Sequence, residues 1–173
     1  MSNAFKDKLK KIRDASAKRS EVHLRVRSDE DLAKSQLTVQ AFEFREAIET
    51  VIGDFFKNFQ AEAPGFALTR GFYEGKYMLA VRCDEELTDP SGHTSRYFSR
   101  LIFLLDPHVD ERSFSIQAKK TIRNRDLESV SLSGAMGAAD QASFATFVEA
   151  QFLEFAEGYF GEHSLTKPTG VAT

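Results

Sequence analysis

With 173 residues and 42% hydrophobic composition, the chain carries enough apolar material for one ordinary domain core. A net charge of −3 argues against a dedicated nucleic-acid binder, which carries a basic excess. Cys83 is alone, so no intrachain disulfide can form, and the longest apolar run, residues 101–105, falls far short of the roughly 18 residues that span a bilayer.

Residues 4–19 predict a basic helix. Phe5, Leu9 and Ile12 share one face, and Lys6, Lys8, Lys10, Lys11, Arg13, Lys18 and Arg19 cover the rest. The N-terminus is charged and lacks the apolar stretch of a secretory signal, which makes a cytoplasmic protein the simplest expectation. Residues 21–27 alternate, with Val22, Leu24 and Val26 on one side and His23, Arg25 and Arg27 on the other, the period of a half-buried strand. Ser28 followed by Asp29, Glu30 and Asp31 has the spacing of a helix start.

A long amphipathic helix is predicted over residues 37–60. Leu37, Ala41, Phe44, Ile48, Val51, Ile52, Phe55 and Phe59 form its apolar side, and Gly53 offers a place for close packing. Pro64 and Gly65 end it. Strands follow over 66–73 and 76–84, joined by a tight hairpin at Glu74 and Gly75. An acidic loop over 84–93 leads to a strand over 95–105. A turn at 106–110, a strand over 112–125 and a short strand over 127–132 complete the run. Residues 133–139 (SGAMGAA) read as a flexible link, with Asp140 as N-cap of a final helix. Phe144, Val148, Phe152, Phe155 and Tyr159 form the stripe of that helix.

This order predicts an α+β fold: an antiparallel β-meander of about four to six strands packed by two long amphipathic helices. The organisation expected is a basic helical arm over 1–20, one α+β domain over 21–163, and a disordered tail over 164–173. The element order over residues 21–160 also resembles that of helix-grip ligand-binding domains. That resemblance implies the alternative of a sheet wrapped around the C-terminal helix; it rests on no shared motif and carries no function by itself.

Charge is unevenly distributed. Residues 1–27 hold nine basic and three acidic side chains (+6), residues 28–68 hold three and eight (−5), and residues 134–173 hold one and five (−4). The arm, with Lys10 and Lys11, suits an acidic partner or the acidic helices. On the 112–125 strand, Lys119, Arg123 and Arg125 lie on a polar face that turns basic at its end, a second candidate partner surface. The run 101–105 is apolar on both strand faces, so the outer face needs cover from a helix, a second subunit, a partner or a ligand.

Two segments combine carboxylates with histidine: Asp84, Glu85, Glu86, Asp89 and His93, and Asp106, His108, Asp110 and Glu111. Neither has calcium-loop or zinc-enzyme spacing, so no metal is assigned, and no dinucleotide or phosphate-loop pattern implies a cofactor. Cys83 reads as a small core residue. The first functional expectation is a non-catalytic, self-associating, adaptor-like interaction protein. The alternative is an apolar-ligand binder with a cavity between sheet and C-terminal helix, lined by Phe144, Phe152, Phe155, Leu101 and Phe103 and gated by residues 133–139. Third comes a metal-dependent enzyme at the two acidic segments.

Overall fold

The computed structural model describes the backbone of residues 3–164 and the side chains of residues 10–161. Helix α1 runs Asn3–Glu62. Six strands follow: β1 Ala67–Tyr73, β2 Lys76–Thr88, β3 Thr94–His108, β4 Ser113–Ile122, β5 Arg125–Asp126 and β6 Val130–Ala135. Helix α2, Ala138–Ser164, closes the order. The result is the expected α+β class, with two long helices and an antiparallel sheet in which β1 to β5 are sequential neighbours and β6 also pairs with β4. By its contacts the chain divides into Met1–Val39 and Gln40–Thr173. The tail expected over 164–173 lies, after Ser164, outside the described residues.

In the second unit, the sheet's inner face and two helices bury one continuous core. Ala41, Phe44, Ile48, Ile52, Phe56 and Phe59 of α1 meet Leu79, Val81, Leu101, Phe103, Leu105, Phe114, Ile116 and Ala118 of β2–β4, and Phe144, Val148, Phe152, Phe155 and Tyr159 of α2. Each fully buried Phe, Leu or Ile contributes about 1.5–3 kcal/mol. The rings meet mainly edge-on or tilted: Phe114 and Phe144 at 5.5 Å and 88°, Phe66 and Phe155 at 5.8 Å and 87°. Phe supplies this area with no polar atom to satisfy, which explains its abundance here.

α1 stops where Pro64 and Gly65 break the helix, and Gln60 Nε2 fastens the exit by donating to the Phe66 carbonyl at 2.9 Å. The β1–β2 turn places Glu74 at φ 51° and Gly75 at φ 78°, the left-handed pair whose twist suits a two-residue hairpin. Register follows the pattern of side chains. Leu79, Phe103 and Ala118 stand opposite one another on the core face of β2, β3 and β4, and Leu132 of β6 stands opposite Ile116. Gly158 of α2 passes so close to the sheet that a Cβ there would stand 2.5 Å from Ile122 Cδ1.

Several expectations are corrected. Residues 21–27 are helix, not strand, and Ser28 caps nothing because α1 continues through it. Flanking residues rich in good helix formers extend an existing helix cheaply, and a valine costs it only a few tenths of a kcal/mol. The resemblance to helix-grip domains therefore loses its opening strand. Gly53 has nothing within 4 Å of the position its Cβ would take, so it serves no close packing. The acidic segment 84–88 is not loop but the end of β2, because the turn needs only residues 89–93, where Asp89 accepts from the Ser91 and His93 backbone N–H groups at 2.8 and 3.0 Å. β3 likewise runs on through Asp106, Pro107 and His108. The small residues 133–135 are strand and Met136 is buried, so 133–139 is not a flexible link; Asp140 sits in the first turn of α2 rather than before it.

Candidate functional site

On the first unit, the side chains that stand out are apolar and unburied. Ile12 is 67% exposed and Leu24 69%, and Val22, Val26, Leu32 and Val39 are also exposed. At about 100° per residue they fall into two stripes. Ile12, Val22 and Val26 lie within about 80° of one another, as do Leu24, Leu32 and Val39 on the roughly opposite side. Lys11 is exposed beside the first stripe, and Lys10 is exposed on the side of the second. The described ion pairs of this segment are Arg13–Asp14 at 3.5 Å and Arg25–Glu21 at 3.0 Å, both solvated. Solvated pairs of this kind contribute about 0–1 kcal/mol each.

The other basic candidates are not brought together. Lys119 stands on the outer face of the sheet, its Nζ 5.1 Å from the centre of the Tyr73 ring. Arg123 is buried in the turn after β4, its Nε 3.8 Å from Glu85 Oε2. Arg125 is exposed on the short β5. The five apolar candidates, by contrast, are brought together. Leu101, Phe103, Phe144, Phe152 and Phe155 all sit in the core, with Phe103 and Phe152 at 5.6 Å.

Several carboxylates of the acidic segments have local partners of their own. Asp84 holds Arg82 at 2.7 Å, and that guanidinium keeps its carboxyl below the usual aspartate range. Glu86 pairs with Arg96 at 2.8 Å. Asp89, which caps its own turn, is held low by the Ser91 hydroxyl and the backbone N–H groups around it. Asp106 pairs with Lys76 at 3.0 Å, and His108 Nε2 lies 3.3 Å from Ser115 Oγ. Among the described residues no group of three or more His, Cys, Asp or Glu side chains converges to hold a metal ion. Burial, with Glu85 and Asp84 nearby, pushes the Cys83 thiol up, against thiolate chemistry.

Two polar features escaped sequence reasoning. Tyr159 donates to Glu85 Oε1 at 2.5 Å, and burial followed by that bond pushes its phenol well up. Lys120, on the core face of β4, donates to Gln151 Oε1 at 2.8 Å and to Glu154. The signal for the second was visible, since Lys120 shares strand parity with Phe114, Ile116, Ala118 and Ile122. Among the described residues no helix is long and apolar enough to cross a membrane. Comparison with protein-family models, with curated proteins and with solved structures finds no match to this chain.

Proposed function

We propose that this is a cytoplasmic, non-catalytic interaction protein that self-associates through the first part of α1. The observation that carries the reading is the pair of exposed apolar stripes on residues 12–39. A helix with little packing holds its shape by propensity alone, which is marginal in water. Burial of one stripe, Val22 and Val26 with Ile12, against a neighbour supplies part of what propensity lacks, at roughly 25 cal/mol per Å² of apolar surface removed from water.

Charge favours a second copy as that neighbour. The +6 of residues 1–27 is complementary to the −5 of residues 28–68, so two chains can exchange the same contact in a self-complementary, two-fold manner. The sheet is the weaker candidate for association. Leu101 and Phe103 point into the core, so Phe103→Asp would unfold the protein rather than report on its partners.

Light scattering after size exclusion, at micromolar concentration, tests the reading. The expected mass is a multiple of 19.5 kDa. Val22→Asp combined with Val26→Asp should reduce it to one chain with the helical circular dichroism of the core retained. Salt at about 1 M should weaken the association, because exposed charge attraction is screened within about 3 Å there. A wild-type protein that is strictly monomeric at low salt removes the proposal.

A further inference from the structure

The outer face of the sheet carries a depression of about 400 Å³, within the size range of small-molecule clefts. Its floor is apolar. Met78, Ile102 and Leu104 line it, from facing positions on β2 and β3. Leu104 is 2% exposed although it points away from both helices. Across the depression the Tyr73 ring and the Lys119 ammonium meet at 5.1 Å.

Its rim is cationic. Lys119 pairs in register with Ile102, and Arg100 lies two residues earlier on β3, so the two cations are diagonal neighbours on adjacent strands. On the same face Lys76 has Asp106 at 3.0 Å and Arg82 has Asp84 at 2.7 Å. Arg100 and Lys119 have no carboxylate within ion-pair distance among the described residues. Arg100 Nε donates to Thr121 Oγ1 at 3.2 Å, and the Thr121 hydroxyl in turn donates to Asp126 at 2.7 Å, so the one carboxylate on the lining is engaged through Thr121.

We propose that this depression binds a small amphipathic carboxylate, with its apolar body on Met78, Ile102 and Leu104 and its head between Lys119 and Arg100. An apolar floor alone would accept any greasy molecule, and two neighbouring cations alone would accept any anion. Their adjacency selects a ligand that has both. On binding, Lys119 exchanges the Tyr73 ring face for a carboxylate, a stronger charge-assisted partner. The site is distinct from the apolar contact between sheet and α2, which is filled by packed rings.

Titration calorimetry with dodecanoate, below the concentration at which it forms micelles, tests this. Dodecanol and acetate are the probes for the two halves of the ligand. The expected result is that dodecanoate binds about tenfold or more tightly than either, since a charge-assisted bond contributes at least that factor. Arg100→Met with Lys119→Met keeps the apolar stems and should remove the preference for dodecanoate over dodecanol. Ile102→Glu, at a half-buried surface position, should abolish binding by placing a carboxylate on the floor. Absence of dodecanoate binding overturns the proposal. So does equal binding of dodecanol, or dodecanoate affinity that none of these variants changes.

Discussion

Lys119 and Lys120 are consecutive on β4 and end on opposite faces of one sheet. Lys120 is 5% exposed, and its ammonium reaches Gln151 and the solvated Glu154. Lys119 stays on the outer face against Tyr73. The inner face tolerates a charge only where hydrogen-bonding oxygens wait at the end of its stem, because an unpaired buried ion is too costly. The outer face keeps its cations half in water and sets them beside rings, with Arg82 and Arg100 each 5.2 Å from Phe98 as well. One face is thus buried in the core and the other stands partly in solvent.

Substitutions can break that division, and the largest effect is expected on the inner face. Phe155→Ala removes a ring packed against Phe59 and Phe66, both at 5.8 Å. It should cost about 3–5 kcal/mol, read from urea denaturation. Lys120→Met keeps the stem but leaves the buried Gln151 side chain without its donor. A loss of about 1–3 kcal/mol is expected, and adding Gln151→Leu should restore most of it. If Lys120→Met alone proves neutral, the buried polar contact contributes nothing net. Smallest is Lys119→Met on the outer face, with an expected thermal-stability change of no more than about 1 kcal/mol, the value of an exposed cation–ring contact. A larger loss would mean that the outer face shares the structural burden of the inner one.

Long elements were legible from their periods. The stripe Phe144, Val148, Phe152, Phe155 and Tyr159 is wholly buried, as its spacing implied, and the left-handed pair at Glu74 and Gly75 forms the hairpin its chemistry suggested. The misreading at residues 21–27 has a physical source. In seven residues, alternation of Val22, Leu24 and Val26 fits a strand, yet a helix also accommodates it by putting Val22 and Val26 on one side and Leu24 on the other. Only the long run of helix-forming neighbours decides. Residues 133–135 failed for the converse reason. Their small side chains carry no pattern, and pairing with Ser113, Phe114 and Ser115 makes them strand. The depression on the outer face was half legible. Apolar residues on both sides of 101–105 implied that something covers either Leu101 and Phe103 or Ile102 and Leu104, without saying which pair faces outward, and Tyr73 reaches Lys119 only through the register of four strands.

Beyond Arg100, β3 outlives its pairing with β4, which turns away at Arg123 and Asn124 with φ of 46° and 66°. The side chain and backbone of Asn124 occupy the groups thus left open. Its Oδ1 accepts from the Phe98 N–H at 2.9 Å, its Nδ2 donates to the Arg96 carbonyl at 3.2 Å, and its own N–H donates to the Phe98 carbonyl at 3.0 Å. One amide stands in for a missing strand. A bare sheet margin is a template on which another chain can polymerise. With Asn124 seated on Arg96 and Phe98, the stretch of margin nearest the core is closed to such growth, which guards the molecule against runaway strand-by-strand aggregation.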